Sequence, residues 1–277
     1  MKNLAIRLLT GIVYVGTITF GVIYSPYTFL ALFMIIIILC LREFYRLINI
    51  HKETKINLYV HGLGGATLFL TNFLYMSGTT GRLIFSLYLL YIVGTLIYEL
   101  YAKQKNPIGR LACIFFGQCY IALPFSLLNL LTFPDSAANP PVYQWIWVIA
   151  LLVFIWANDT GAYLIGVWFG KHRLWERISP KKSWEGFFGG LMFTIIAALI
   201  FAQLQTQIAW YHWIAISVGV VVFGTYGDLL ESLMKRSVEV KDSGHSLPGH
   251  GGFLDRFDSL LLAVYAMLFY VQLFIQN

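Results

Sequence analysis

The densest group of side chains that could do chemistry lies between Gly227 and Ser259. This segment combines carboxylates, cations and glycines, among them Asp228, Glu231, Asp242, Asp255, Asp258, Lys235, Arg236, Lys241, Arg256, Gly244, Gly251 and Gly252. Carboxylate oxygens are hard ligands for Mg²⁺, and lysine and arginine neutralise phosphate oxygens. The composition therefore indicates a site for a divalent cation and a polyphosphate. Zinc is disfavoured, because the segment contains no cysteine and no HxxxH-type spacing.

Spacing within this segment predicts how its side chains are arranged. If the helix of the preceding apolar run continues into the segment, Asp228, Ser232 and Lys235 lie on one face at i, i+4 and i+7. Asp255 and Asp258, at i and i+3, open the last apolar run, where a helix N-terminus favours anions. Simpler interpretations stay open: either of these two aspartates could only cap its helix, and the first group could be a solvated face with internal ion pairs.

A second polar cluster, Asn158-Asp159, falls inside a long apolar run. A carboxylate at such a position usually faces a polar cavity, because exposure to lipid is costly. The alternative is a hydrogen-bonding pair that holds neighbouring helices together, and the motif alone is also compatible with an ion pathway.

The third cluster contains Lys181, Lys182 and Glu185, directly after Ser179-Pro180. We expect the Ser-Pro pair to form a rigid turn at the start of the next helix. That turn would present both lysines beside the first free N–H groups of the helix, which is how proteins bind phosphate. Ordinary positive charge on a cytoplasmic loop is the alternative, although Glu185 suggests a metal or a charge partner.

The elements that must hold these clusters are apolar helices. Of the 277 residues, 58% are hydrophobic and 12% are charged, roughly half the charged share of a soluble domain. Nine apolar runs approach or reach the length that crosses a bilayer: 8–24, 28–41, 58–76, 83–101, 111–132, 144–169, 186–204, 210–227 and 259–275. We predict an all-α, polytopic membrane protein with about nine transmembrane helices. N-terminal helices at 1–142 precede a catalytic region at 143–277, with cytoplasmic loops at 170–185 and 228–258.

Charge placement predicts the orientation of the helices. The net charge is +6, and lysine and arginine concentrate in the links 42–55, 103–110, 171–182 and 235–241. With nine spans these links face the same side as the N-terminus, and the positive-inside rule makes that side cytoplasmic. The three polar clusters then lie on or near the cytoplasmic face, where we expect the chemistry. The composition also excludes a free nucleic-acid-binding domain.

The segment from Ser232 to Asp258 resembles the phosphatidate cytidylyltransferases, also called CDP-diacylglycerol synthases. It matches the long signature of that family as Ser232-x-x-Lys235-Arg236-x4-Lys241-Asp242-x-Gly244-x3-Pro248-x-His250-Gly251-Gly252-x-x-Asp255-Arg256-x-Asp258. The stretches around Asn158-Asp159 and 179–186 look like shorter motifs of the same family. The resemblance spans about 156–259, whereas the first 150 residues match only as a hydrophobic multi-pass pattern.

The resemblance implies transfer of CMP from CTP to phosphatidic acid, giving CDP-diacylglycerol and pyrophosphate with Mg²⁺. It implies that the metal, with a second cation left open, is held by Asp228 and Asp255. Cations that would neutralise the phosphates are Lys181, Lys182, Lys235, Arg236 and Arg256. Residues that would line a cavity for the lipid head group are Asn158, Asp159 and Ser232. The residues predicted to be catalytic are Asp228, Asp255, Lys235, Asp242 and Asp258. The remaining residues predicted to bind substrate are Glu185, Lys241, His250, Gly251 and Gly252.

Other functions are compatible with some of these residues. An ion-coupled transporter would explain Asp159, Asp228 and Asp255, but not the glycine-rich loop or the adjacent cations. A CTP-dependent lipid kinase of dolichol-kinase type would transfer the terminal phosphate and release CDP. A non-catalytic lipid-binding relative is disfavoured by the intact signature.

The expected partners are CTP, phosphatidic acid and the lipid bilayer. Glycines within 62–65 permit close helix packing, which is compatible with a homodimer. The first apolar run shows no small-x-small cleavage site, so we expect an uncleaved helix and a bacterial inner membrane.

Overall fold

Helices account for nearly all regular structure in the computed structural model, which describes residues 2–50, 55–134, 141–244 and 251–275. The α-helices in chain order are α1 (Lys2–Tyr24), α2 (Pro26–Ile48), α3 (Leu58–Met76), α4 (Ser86–Tyr101), α5 (Pro107–Gly117), α6 (Leu123–Thr132), α7 (Ile146–Phe169), α8 (Trp184–Leu204), α9 (Trp210–Ser237) and α10 (Leu254–Phe274). A 3₁₀ turn at Arg82–Phe85 leads into α4, and a π-helical turn at Gln118–Ala122 joins α5 to α6. The described residues also form two short strands, β1 (Arg173–Trp175) and β2 (Ser179–Ser183).

Seven helical segments of the described chain are long and apolar enough to cross a membrane. They are Pro26–Ile48, Arg82–Tyr101, Pro107–Thr132, Ile146–Phe169, Trp184–Leu204, Trp210–Ser237 and Leu254–Phe274. The chain is therefore an all-α, polytopic integral membrane protein, as predicted. The two remaining predicted spans lie on α1 and α3, which are not among the seven. The count of nine spans and the cytoplasmic N-terminus stay predictions.

Helix α2 shows how local sequence sets the bounds of a span. Ser25 precedes the helix, and its Oγ accepts a hydrogen bond from the Tyr27 amide at 3.2 Å. Pro26 occupies the first turn, where no amide donor is needed. The helix extends beyond the predicted run 28–41. Its last two turns contain charged residues next to buried aromatic ones, so they fall outside a purely apolar run.

Residues Met1–Trp145 and Val238–Arg256 form one compact unit. Its core contains many aromatic side chains. The centroid of the Phe33 ring lies 4.9 Å from that of Phe29, 6.1 Å from that of Phe69 and 5.9 Å from that of Phe125. Aromatic packing of this kind joins α2 to α3 and α6 in a setting where apolar burial alone gives little advantage over lipid.

Residues Ile146–Ser237 and Phe257–Asn277 form the second unit. Helices α7 and α8 approach closely at Gly161, where a Cβ atom would lie only 2.7 Å from the carbonyl oxygen of Gly189. Glycine, which has no Cβ atom, permits this approach. Trp213 of α9 is fully buried and stacks on Trp147 of α7 with ring centroids 5.3 Å apart. This packing fixes the side of α7 that carries the predicted cluster Asn158-Asp159. The predicted division of the chain at 142/143 stays a prediction.

The link between α7 and α8 is a β-hairpin, which the sequence analysis did not predict. Strand β1 pairs antiparallel with β2, with Arg173 opposite Ser183 and Trp175 opposite Ser179. Ser179-Pro180 therefore lies in a strand, and the expected rigid turn there is wrong. Proline has a fixed φ and no amide donor, which a short two-stranded sheet tolerates on its unpaired edge. The turn of the hairpin instead spans residues 176–178.

Candidate active site

A cavity of about 450 Å³ with polar and charged side chains in a largely apolar wall lies within the second unit. It is lined by α7, the hairpin, α8, α9 and α10, through Asn158, Asp159, Ala162, Tyr163, Gly166, Val167, Leu174, Lys181, Lys182, Ser183, Gly186, Phe187, Thr225, Asp228 and Ser259. Five predicted site residues thus share one cavity: Asn158, Asp159, Lys181, Lys182 and Asp228. The first pair and the two lysines are separated by more than 20 residues in sequence, and the fold brings them together.

Two of the lining residues, Lys182 of β2 and Asp228 of α9, form an ion pair. The two side chains are 26% and 32% exposed, so both remain accessible from the cavity. Ser232, one turn further along α9, donates its hydroxyl to Asp228 Oδ1 at 3.3 Å. The predicted face of Asp228 and Ser232 is therefore present, because α9 continues to Ser237 and residues 228–237 are helical rather than loop.

Lys235, the third member of that predicted face, has a different partner. Its Nζ atom lies 2.7 Å from Glu231 Oε2, and the Glu231 side chain is only 1% exposed. An internal i, i+4 ion pair of this kind is the simpler alternative considered for this segment. Because Glu231 is buried, the pair does not belong to a solvated surface.

Asp258 adds a further acidic group to the second unit. Its carboxyl group interacts with the carboxyl groups of Asp228, Glu231 and Asp159, and it hydrogen-bonds to Glu231. Carboxyl groups crowded in this way repel one another when ionised, so cations or shared protons must offset their charge. Lys182 and Lys235 supply two of those cations. No role was predicted for Glu231, because its burial depends on how the helices pack and cannot be read from the segment alone.

Glu185 is hydrogen-bonded to the start of the hairpin. Its carboxylate lies 2.6 Å from His172 Nδ1 and accepts hydrogen bonds from the amides of Lys171 and His172 at 3.2 Å. These bonds fix the start of the hairpin that carries Lys181 and Lys182.

The first amides of α8 are used within the protein. The Trp184 amide donates to the His172 carbonyl, and the Gly186 amide donates to Ser183 Oγ at 3.1 Å. We expected the first N–H groups of this helix to be free beside the lysines. That expectation is wrong for the amides of Trp184 and Gly186. The reason is that Ser183 caps the helix with its own side chain.

In the first unit, Asp255 binds the backbone of the signature segment. Its carboxylate accepts hydrogen bonds from the amides of Ser243, at 3.1 Å, and Gly252, at 2.8 Å. Gly251 has a φ of +85°, and a Cβ atom there would lie 2.9 Å from Asp255 Oδ2. This close approach in a left-handed conformation is a reason for glycine at that position.

Other signature residues are solvent-exposed or lie outside the described part of the chain. The exposed side chains are Arg236, Lys241, Asp242 and Arg256. His250, predicted to support the site, lies outside the described residues. The structure therefore leaves the predicted roles of these five residues as predictions.

Glu43 of α2 is a residue that sequence reasoning missed. It is 5% exposed, and its Oε2 atom accepts hydrogen bonds from Ser243 Oγ and the Leu254 amide, each at 3.0 Å. The only signal in the sequence is a carboxylate just past a short apolar run, which periodicity alone cannot connect to a segment 200 residues away.

The donor set within the second unit fits Mg²⁺ bound together with a phosphate ligand. Among the described residues, no group of three or more His, Cys, Asp or Glu side chains is arranged to hold a metal ion by itself. Mg²⁺ commonly needs only one or two carboxylates, with water and substrate phosphates completing the shell. Asp228, which faces the cavity and already binds a cation, Lys182, supplies oxygens of the right kind.

A cavity that combines carboxylates with lysines, on a polytopic helical fold, fits a membrane enzyme that handles phosphates. A family model described as "Cytidylyltransferase family" matches residues 5–274, and the chain belongs to that family. It is 37% identical over 180 residues to the phosphatidate cytidylyltransferase of Bacillus subtilis (strain 168), a match that covers 65% of each chain.

Two staphylococcal relatives match a shorter stretch. The phosphatidate cytidylyltransferase of Staphylococcus epidermidis is 45% identical over 120 residues, and that of Staphylococcus aureus is 46% identical over 123 residues. Each match covers 43% of this chain and 46% of the relative. The chain thus spans between about half and two thirds of the length of the curated relatives it matches. These matches confirm the family resemblance stated from the signature.

Proposed function

We propose that this protein is a phosphatidate cytidylyltransferase, which transfers CMP from CTP to phosphatidic acid and releases pyrophosphate. The observation that carries the proposal is the accessible Lys182–Asp228 ion pair, which lines a cavity of a unit built from membrane-spanning helices. The same cavity contains Asn158 and Asp159, and the relatives named above carry this activity in their names. A cation and a carboxylate that are both accessible can bind a phosphate and its counter-ion together.

The chemical step needs positioning and charge neutralisation more than a strong base. An oxygen of the phosphatidate phosphomonoester attacks the α-phosphorus of CTP, and the bond from that phosphorus to the bridging oxygen breaks. The electron pair leaves with pyrophosphate. A phosphomonoester dianion is already nucleophilic, so the protein's task is to align the two phosphates and neutralise their charge. Lys181 and Lys182 are the cavity residues suited to this task.

In the proposed site, Asp228 holds Mg²⁺, which when bound would neutralise charge on the CTP phosphates. Asp228 would hold the metal, and Lys182, its partner in the ion pair, would neutralise the phosphates. Asp255 as a further metal ligand stays part of the proposal on the strength of the signature alone, as does the presence of any second cation. Arg236, Arg256 and Lys235 are proposed to neutralise pyrophosphate on the same basis.

The lipid substrate is proposed to reach the cavity sideways from the bilayer. Tyr163 and Val167 line the cavity and are 70% and 63% exposed, as expected for side chains that face acyl chains at the rim. The basic residues Lys171, Arg173 and Lys181 lie on or next to the hairpin, which supports a cytoplasmic location for this end of the unit. A bacterial inner membrane, and a homodimer, remain proposals of the same kind.

Product analysis tests the proposed activity. The purified protein in detergent is given CTP labelled in the base or in the γ-phosphate, with and without phosphatidic acid and Mg²⁺. We expect a lipid product that retains the cytidine label and pyrophosphate that retains the γ-phosphate label, both dependent on phosphatidic acid. Release of CDP with a phosphorylated lipid would instead identify a lipid kinase. Absence of any pyrophosphate, in protein that keeps its fold, would contradict the proposal.

A further inference from the structure

The buried carboxylate of Glu43 lies at the start of α10, although it comes from α2. Its Oε2 atom accepts one hydrogen bond from Ser243 Oγ and one from the Leu254 amide, each at 3.0 Å. Leu254 is the first residue of α10. A carboxylate is favoured at this position, because the first amides of a helix lack partners within the helix and carry partial positive charge.

Asp255 binds the same backbone from the other direction. The Ser243 amide donates to both oxygens of Asp255, at 3.2 and 3.1 Å, and the Gly252 amide donates to Asp255 Oδ2 at 2.8 Å. Ser243 is thus held through its hydroxyl by Glu43 and through its amide by Asp255. We call these two carboxylates, with the backbone of Ser243, Gly252 and Leu254, the carboxylate clamp.

Two glycines of the signature make room for the clamp. A Cβ atom at Gly244 would lie 2.6 Å from Glu43 Oε1, and one at Gly252 would overlap Glu43 Oε2 and Ser243 Oγ. Real Cβ atoms do not approach other atoms this closely, so any larger residue would displace Glu43. Glycine at positions 244 and 252 of the signature is therefore explained by Glu43, a residue outside the signature.

We propose that Glu43 is a positioning residue for the reaction: it fixes the backbone from Ser243 to Leu254 and thereby orients Asp255. The inference rests on the proposed function, in which Asp255 acts at the metal and the CTP phosphates. Glu43 does not touch substrate in this scheme. Its negative charge matters, because a carboxylate at the N-terminus of α10 is favoured by the partial positive charge there, whereas the oxygen of a neutral amide accepts the same two hydrogen bonds more weakly.

The kinetic test compares Glu43→Gln with a matched control, Glu99→Gln. Glu99 is also a buried carboxylate of the first unit, and it binds Arg110 rather than the signature segment. We expect Glu43→Gln to lower kcat by about 10- to 100-fold, because small displacements of a reacting group have effects of that size. The KM for phosphatidic acid should stay within about twofold, and Glu99→Gln should keep the kcat of the folded protein. Equal kcat values in the two variants would overturn the proposal.

Hydrogen exchange gives a measurement that does not depend on activity. The amides of Gly252 and Leu254 are protected in the clamp, so exchange in the segment 251–258 should accelerate in Glu43→Gln and not in Glu99→Gln. Loss of kcat with unchanged exchange in that segment would contradict a positioning role. If the wild-type protein makes no CDP-diacylglycerol, the proposed function fails, whereas the exchange comparison still tests the clamp.

A milder variant covers the case in which Glu43→Gln does not fold. Ser243→Ala removes the hydroxyl hydrogen bond to Glu43 and keeps the Ser243 amide bond to Asp255. It should accelerate exchange at Leu254 and lower kcat in the same direction, by a smaller factor. Wild-type kcat and wild-type exchange in Ser243→Ala would overturn the inference.

Discussion

The two units use polar side chains in opposite ways. In the first unit, Arg110 and Glu99 form an ion pair at 2.5 Å with side chains only 3% exposed, and Arg110 also donates to the carbonyl of Lys55. In the second unit, Lys182 and Asp228 are 26% and 32% exposed and line a cavity. The first pair is closed to solvent, whereas the second is accessible from the cavity.

A second polar network in the first unit follows the same pattern as the Arg110–Glu99 pair. Gln118 donates to Tyr45 Oη at 3.1 Å and to the His61 carbonyl at 2.9 Å, and Tyr45 donates to the Ile114 carbonyl at 2.8 Å. Pro124 lacks an amide donor, which accounts for the π-helical turn next to this network. In this chain, the buried polar side chains of the first unit bind one another, whereas the accessible pair of the second unit is the candidate ligand site.

The largest effect is expected from Asp228→Asn. The variant keeps the size of the side chain and the hydrogen bond from Ser232, but loses the charge that binds Lys182 and the proposed metal. Turnover should fall by about 1,000-fold or more, as for loss of a central electrostatic group. The measurement is CDP-diacylglycerol formation by protein with wild-type elution in size-exclusion chromatography. Full activity in this variant would refute the assignment of Asp228 to the metal.

Lys182→Met is expected to have the next largest effect. Methionine keeps most of the apolar stem, so the loss isolates the ammonium charge. We expect kcat/KM for CTP to fall by roughly 100-fold, because a cation on the transferring phosphates is lost. Lys182→Arg should recover part of this activity. A wild-type kcat/KM in Lys182→Met would show that the cavity pair is as closed to ligands as the Arg110–Glu99 pair.

Much of the fold and part of the site could be predicted from the sequence. Apolar length defines the helices because the bilayer requires it, and local spacing places Asp228 and Ser232 on one face. The two lysines were recognised because they stand beside a helix start, although the turn expected at Ser179-Pro180 is a strand. In each of these cases the information lies within about 20 residues of the feature.

What could not be predicted depends on contacts between distant segments. Glu43 acquires its role from Ser243 and Leu254, which are about 200 residues away. The partner choice of Lys235 depends on the burial of Glu231, which the packing of the second unit sets. Helical periodicity describes one element at a time and contains no information on which elements become neighbours.

Tyr163→Ser tests whether the rim of the cavity contacts the lipid substrate. The ring is 70% exposed and lines the cavity, so we expect it to contact the acyl region of the lipid and not the phosphates. The variant should raise the KM for phosphatidic acid by about three- to tenfold, the range for loss of some apolar contact, and leave the KM for CTP unchanged. Measurement of both constants in mixed micelles checks this. Equal rises in both KM values would argue against lipid access at this rim.

Glu99→Gln should have the smallest effect on turnover and a clear effect on stability, which is what separates the two classes of ion pair. Glutamine leaves the Arg110 guanidinium buried without a counter-charge, which costs about 3–5 kcal/mol when one partner of a buried pair is removed. The midpoint of thermal inactivation in detergent should therefore fall by several degrees, while the specific activity of protein that is still folded at 25 °C matches the wild type. The reverse result, an unchanged midpoint with a loss of turnover, would place the Arg110–Glu99 pair in the same functional class as Lys182 and Asp228.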